Sequence, residues 1–486
     1  MDTFDVRFVA VSLLKRLVIG EKSKRESRGR ADNDTDATRT DASTVRRSSA
    51  GVAREVSRFR LQYAGTYHTD LTVHGASHVA RTPLLALLGS TIVSLAGSTV
   101  TAIALPWFVL ETTGSAAMTG VAAFFVAVPA VLTGVFGGAF VDRLGSRRVS
   151  IAADVVSGSA IAAIPALHAT VGLAFGPLLG LIFLGSLLTL PGLTARRIML
   201  PELAARAGMR LDRLNAAFES AQFLAALLGP PLAGLLISII GAANVLWIDA
   251  ASFAISALAV AVAIPGAPAV ARANEPYLTA VAAGLRFLRR DVLLRTLLIS
   301  LAITNGLRDP LLAVMVPVFA LKEYGEATIL GLLVATNGLG AFVGTVLYGI
   351  VGYRLPRRAT WIGAYALNTL PFWALATGAP LWALIGAMLV NGVVSGPISP
   401  LVVTVRHERI PTSLQGRVFG LFSAMTRVAS PIGVLVAGAL IGFIGLRPAL
   451  VVWAATAQLV ALGMVFIPAL HALNERVNHT TSDNDS

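Results

Sequence analysis

The chain has 486 residues, 55% of them hydrophobic and only 13% charged, a mean hydropathy of +0.74 and no cysteine. A soluble domain carries about a quarter charged residues, so a soluble globular protein is excluded, and the missing thiols exclude disulfides, thiolate metal sites and cysteine nucleophiles. The net charge of +13 could suit nucleic acid, but beyond the first 81 residues the arginines sit in short clusters between long apolar runs, which is a pattern of membrane topology, and no nucleic-acid partner is expected.

The first segment is residues 1–80. Through Arg81 there are 15 Lys or Arg against 10 Asp or Glu, among many Ser and Thr. Such a stretch cannot bury a core and reads as a disordered, basic cytoplasmic tail; contact with anionic lipid is its functional alternative. The apolar run at 8–14 is short, follows Asp2 and Asp5 and lacks a small-residue cleavage site, so it is not read as a signal peptide. His74 and His78 have i, i+4 spacing, but Gly75 lies between them and no helical apolar pattern surrounds them, so a solvated loop is expected and no metal.

About 20 apolar residues cross a hydrocarbon core of about 30 Å, and only a helix satisfies its own backbone in a single lipid-embedded segment. Six spans are predicted near 84–110, 117–140, 149–168, 172–194, 214–240 and 244–264. Span 1 carries Ser90, Ser94, Ser98 and Thr101 on one helical face. That stripe suits either weak hydrogen bonds to a substrate or close helix packing, and cavity lining is the reading preferred. Span 5 has Glu219 and Gln222 about one turn apart, then Gly229, Pro230 and Gly234, which can thin and bend a helix. Asp249, near the outer end of span 6, is read as structural.

A loop over 265–292 leads to six more spans near 293–320, 328–350, 360–377, 380–404, 415–441 and 447–468, and the chain ends in a tail at 471–486. Span 7 places Asn305 three and four residues before Arg308 and Asp309, near mid-membrane. Span 10 offers Asn391, Ser395 and Ser399, with Pro397 and Pro400 bending it, and span 11 carries Arg427. Ionisable groups inside a membrane are costly and are functional candidates by default; an Asp309–Arg427 pair is the structural alternative. The expected fold is therefore all-α and integral to a membrane, with twelve transmembrane helices in two six-helix bundles, 81–264 and 293–470. Alternate loops and span ends hold 19 basic residues on one side, from Arg143 to Arg417, against Lys322 and Arg447 on the other. The positive-inside rule then puts both termini in the cytoplasm, which an even number of spans requires.

The two halves repeat. At an offset of 211, Pro106, Phe108, Gly114, Gly120, Gly138, Arg143, Leu144 and Arg147 match Pro317, Phe319, Gly325, Gly331, Gly349, Arg354, Leu355 and Arg358; at 210, Thr194, Arg196 and Pro201 match Thr404, Arg406 and Pro411. Two copies of a six-helix unit about an axis along the membrane normal are one transporter design.

Here the sequence resembles the major facilitator superfamily. The segment G-A-F-V-D-R-L-G-S-R-R, from Gly138 to Arg148, is similar to that family's G-x-x-x-D-R-x-G-R-[RK] signature, with Ser146 in place of the first closing Arg; in the second copy Tyr353 stands where the Asp would be. G-P-P-L-A-G at 229–234 resembles the family's span-5 G-P motif. A-L-P-W-F-V-L at 104–110, W-I-D-A-A-S-F at 247–253, G-L-R-F-L-R-R at 284–290 and G-R-V-F-G-L at 416–421 are most similar to the bacterial branch of macrolide and siderophore efflux proteins. The resemblance implies that Gly138, Asp142, Arg143, Gly145, Arg147 and Arg148 latch the two halves through charge-assisted contacts that break when the cytoplasmic side opens. It also implies that spans 1, 4, 7 and 10 line a cavity. Glu219, Gln222, Asn305, Arg308, Asp309 and Arg427 are then candidates for proton or substrate handling, Glu219 and Asp309 as proton carriers, and Ser90, Ser94, Ser98, Thr101 and Asn391 for the cavity wall.

No G-x-x-x-x-G-K-[ST] phosphate loop occurs, so no nucleotide cofactor is expected and an ion gradient is the natural energy source. The expected function is proton-coupled export of a small amphipathic molecule by a monomer in a bacterial inner membrane, in contact with the lipid bilayer. Uptake, or movement of a lipid, is the alternative within transport. A non-transporting receptor or an enzyme is the alternative of another class, against which stand the absence of a signalling domain and of a clustered nucleophile and base.

Overall fold

The computed structural model describes residues 81–265 and 277–474. The predicted tail at 1–80, the end of the tail at 471–486 and the first part of the inter-bundle loop lie outside the described residues. The first six spans are Thr82–Thr113, Ala116–Leu144, Ser146–Thr170, Phe175–Arg206, Leu211–Ile240 and Ala242–Ala263. The second six are Val292–Glu323, Ala327–Val351, the pair Arg357–Leu367 and Leu370–Ala376, then Leu381–Arg409, Val418–Ile444 and Leu446–Phe466. Eleven of these helices are long and apolar enough to cross a membrane.

Span 9 falls short because it is broken. Pro371 has no N–H to continue the helical ladder, and a helix is disfavoured just before a proline. The helix therefore stops at Leu367, and the backbone turns through Asn368 and Thr369 before resuming. The loop predicted over 265–292 is not all loop: Tyr277–Arg290 is a helix. It buries Gly284 and Leu288 and exposes Arg286, Arg289 and Arg290, and it packs on spans 7 and 11.

The arginine clusters define a basic end of the molecule and, opposite it, a far end. The two halves share one apolar core at the far end. Val100, Ile103, Leu105, Trp107 and Phe108 of span 1 belong to the same buried cluster as Leu311, Val314, Val318 and Phe319 of span 7. At the basic end the cores are separate. Leu84, Leu87, Leu200, Leu214 and Phe218 form a cluster confined to the N-terminal half, and Leu288, Leu294, Trp361, Val405 and Phe422 form one confined to the C-terminal half.

Glycines hold the far end closed. Span 2 crosses span 11 at Gly120 and Gly438, where a methyl group on Gly120 would come within 2.8 Å of Gly438 Cα and of Val434 O. Span 5 crosses span 8 at Gly234 and Gly331, where a methyl group on Gly331 would lie 2.6 Å from Pro230 O. Gly120 and Gly331 are partners in the internal repeat, so the repeat places one close backbone crossing on each side of the bundle interface. Nearer the basic end the contacts thin: Phe223 still meets Phe342 at 4.5 Å between ring centroids, but from Leu211 to Ser220 only Leu214 and Phe218 are buried.

Candidate translocation site

Spans 7, 9, 10, 11 and 12 enclose a cavity of about 330 Å³ in the C-terminal half. Its walls carry Asn305 and Arg308 from span 7, Tyr365 and Asn368 from span 9, Ser395 and Arg406 from span 10, and Phe422 and Arg427 from span 11. Span 7 departs from α geometry just beyond Arg308. After Pro310 the backbone runs as a π-turn, Leu311–Met315, and the Leu311 N–H donates to Arg308 O. That leaves Leu307 O to accept the Trp453 indole N–H at 2.8 Å. Such turns let a helix re-aim a side chain without losing its hydrogen bonds. The Asn305 amide donates to Thr426 O at 2.9 Å, which ties span 7 to span 11.

Asn391 does not reach the cavity. It is 1% exposed and sits behind the wall, taking a hydrogen bond from the Asn337 amide at 2.7 Å and donating to Asn368 O at 2.8 Å. Ser395 Oγ donates to Asn368 Oδ1 at 3.0 Å. The break in span 9 thus leaves Asn368 to join span 10, and through Asn391 span 8, by a chain of amide hydrogen bonds.

The serine stripe of span 1 is likewise packing rather than cavity wall. Ser90, Ser94 and Thr101 are buried, and Ser98 is half-buried. They share a face with Gly97, which lies directly against Asp249 and Ser252 of span 6. Asp249 is 1% exposed and accepts from Ser252 Oγ at 3.1 Å, in keeping with the structural role read for it. Gly229 packs on Thr99 of span 1, whereas Gly234 faces the other half, so the span-5 motif serves both an intra-bundle and an inter-bundle contact.

Of the two acidic candidates, Glu219 has a partner that its own helix does not reveal. Arg197 of span 4 reaches it at 2.8 Å, with both side chains about half exposed, and the same guanidinium lies over the Phe218 ring. Gln222 is half-buried, and its amide nitrogen has no hydrogen-bond partner among the described residues. Asp309 is half-buried and forms no ion pair among the described residues. Arg427 faces the cavity, whose lining does not include Asp309, so the suggested Asp309–Arg427 pair is not formed.

The buried ion pair of the N-terminal half escaped the sequence reading. Arg196 of span 4 meets Asp154 of span 3 at 2.6 Å, with both side chains about 95% buried. Ser150 Oγ takes a further bond from Arg196, and Ser256 of span 6 bonds both members. The sequence carries one local signal for it, since Ser150 and Asp154 stand at i, i+4 on one face of a helix, while Arg196 reads there as one of the basic residues that set topology.

The loop signature is partly placed. Gly145 turns the chain between spans 2 and 3 at φ +85°, a backbone that favours glycine. Arg147 does not reach the other half. It donates to Ala261 O at 2.6 Å, at the basic end of span 6, and its repeat partner Arg358 donates to Val465 O at 2.8 Å at the end of span 12. A guanidinium at a helix C-terminus satisfies a free carbonyl and complements the dipole. Arg143 and Arg148 are exposed. The side-chain surroundings of Gly138 and Asp142 lie outside the described residues, and no ion pair joins the two halves at the basic end among those that are described.

Comparison with known proteins fits this architecture. The profile of the Major Facilitator Superfamily matches residues 87–327 and 301–484. The multidrug efflux pump Tap of Mycolicibacterium fortuitum is 32% identical over 404 residues, 82% of this chain and 98% of that protein. Tap of Mycobacterium tuberculosis is 34% identical over 414 residues, 81% of this chain and 95% of its own length. Among solved structures, the nucleoside transporter NupG superposes with a TM-score of 0.67 at 14% identity, covering 79% of this chain and 98% of NupG. An inward-facing bacterial homologue of ferroportin superposes with a TM-score of 0.61 at 18% identity, covering 79% and 98%. Family and fold agree: this chain is a multi-pass membrane transporter, not an enzyme, and belongs to the major facilitator superfamily.

Proposed function

We propose that the protein exports small amphipathic molecules from the cytoplasm of a bacterium across its inner membrane, by alternating access driven by a proton gradient. The observation that carries this is the arrangement of the cores: one apolar cluster fuses the halves at the far end, and two separate clusters leave them apart at the basic end. With the basic end in the cytoplasm, this is the cytoplasm-open state, in which an exporter loads. The end-to-end likeness to efflux pumps supports export over uptake. Asp309 is the better of the two proposed proton carriers, because it is half-buried in span 7 beside the cavity residue Arg308 and carries no ion pair among the described residues, whereas Glu219 is already paired.

The test is uptake of amphipathic dyes and antibiotics into inverted vesicles with an acidified lumen. Accumulation that collapses when the gradient is discharged is expected, and Asp309→Asn should remove the gradient-driven component while leaving binding to purified protein intact. Accumulation indifferent to the pH gradient, or full coupling in Asp309→Asn, refutes proton coupling through this residue.

A further inference from the structure

The repeat pairs Arg196 with Arg406, and the two residues have opposite surroundings. Arg196 is neutralised by Asp154 at 2.6 Å and bonded by two serines. At an offset of 211 from Asp154 the C-terminal half has Tyr365, so the carboxylate is missing. Arg406 instead lies between two rings, its guanidinium carbon 4.6 Å from the Phe419 centroid and 5.2 Å from that of Phe422. Its polar contact is Ser423 Oγ at 3.5 Å, and its Nε is buried with no partner among the described residues.

Arg406 is not alone in the cavity. Arg308 and Arg427 also line it, and no Asp or Glu does. Among the described residues, none of the three forms an ion pair, and the acid nearest in sequence to Arg406, Glu408, is held by Arg357 through two bonds of 2.7 Å. Three guanidiniums with no counter-charge around one cavity favour a negative guest, because like charges lining a concave surface sum to a positive potential that attracts anions. The guanidinium fork matches a planar oxyanion, and aromatic groups beside it provide an apolar face for the rest of the molecule.

We infer that the cavity of the C-terminal half is an anion-selective subsite: it takes an aromatic amphiphile carrying a carboxylate or similar planar oxyanion, with Arg406 as the principal contact and Arg308 and Arg427 supporting it. This rests on the reading that the chain moves small amphiphiles, and it names the charge of the molecules it prefers.

The experiment measures binding to the purified full chain with no gradient, so its outcome is independent of whether export is observed. The probes are 1-naphthylacetate and its neutral amide, which differ only in the oxyanion. At least tenfold tighter binding of the carboxylate is expected. Arg406→Gln should abolish that preference, and Arg406→Lys should restore it only in part, since lysine keeps the charge but not the fork. Arg427→Gln, at an exposed position, should lower the preference without threatening the fold. Arg447→Gln, which disrupts a far-end pair with Glu323 outside the cavity, should leave it unchanged. Equal binding of acid and amide overturns the proposal, as does a preference that survives both Arg406→Gln and Arg427→Gln. Displacement of the probe by short-chain phosphatidylglycerol below the concentration at which naphthylacetate itself binds would also overturn it, by assigning the site to a lipid headgroup.

Discussion

If the far end opens and closes during transport, the glycine crossings are where that equilibrium is most easily biased. A methyl group added at Gly331 would sit 2.6 Å from Pro230 O and 3.1 Å from Gly234 Cα. Ordinary contact begins near 3.4 Å, so spans 5 and 8 must part by about 0.8 Å, the difference between the two oxygen distances. Both atoms belong to backbone and cannot rotate away. Overpacking of this kind costs about 1–3 kcal/mol, and the cost falls only on the state in which the crossing is made. The equilibrium should therefore shift about 5- to 150-fold toward the state open at the far end. The chain has no cysteine, so a single reporter can be read without background. Val318→Cys, fully buried at the far end of span 7, should react slowly with a membrane-impermeant maleimide and faster when combined with Gly331→Ala. Gly349→Ala is the matched control on the same span, because nothing lies within 4 Å of the added methyl. Equal labelling of the reporter with and without Gly331→Ala, in protein that elutes as the parent does, would show that the crossing does not discriminate between states.

Two further outcomes follow from the ion pairs. Asp154→Asn leaves the Arg196 guanidinium buried against a neutral amide, and thermal denaturation in detergent should show a loss of about 3–5 kcal/mol, much of it recovered in the Asp154→Leu, Arg196→Met double variant, because removing both charges removes the desolvation penalty. Glu219→Gln breaks a pair whose members are about half exposed; it should change stability by less than about 1 kcal/mol and leave gradient-driven flux intact, so loss of coupling in this variant would return Glu219 to the role of proton carrier.

Much of the fold was legible because membrane physics writes it plainly. Span length, the sidedness of arginine and the repeat at offset 211 all act over tens of residues, and each described span lies where the apolar runs place it. The candidate site was legible only in part. The stripe Ser90, Ser94, Ser98 and Thr101 defines a face, but periodicity does not say whether that face meets a cavity or a helix; Gly97, lying in the same stripe, marked a close helix contact. With the two cores separate at the basic end, Arg147 reaches the end of its own bundle, and the latch that the resemblance implies belongs to a state closed at that end. Asp154 and Arg196 are 42 residues apart, and nothing local in sequence announces their meeting. Arg308 and Arg427 stand out in sequence as intramembrane charges, but the cavity joining them to Arg406 is lined also by Asn368 and Thr369 at the break in span 9, a local departure from a regular helix.

The repeat also shows where the two halves can differ without losing the fold. The crossings need small residues in both, since a Cβ at either would strike backbone, and Gly120 and Gly331 occupy them symmetrically. The helix ends need a cap in both, and Arg147 and Arg358 supply it to spans 6 and 12 alike. The arginine pair Arg196 and Arg406 has no such constraint. With Asp154 beside it, Arg196 becomes a closed, satisfied network that ties spans 3, 4 and 6 into one body. With Tyr365 at the matching position, Arg406 keeps its charge, and a cavity of about 330 Å³ opens beside it. A partly buried guanidinium without a carboxylate keeps its fork of donors facing that cavity, where an anion can take the place that Asp154 holds in the other half. One exchange of residue type within a duplicated unit thus turns a structural charge pair into a place where a ligand's own charge completes the core.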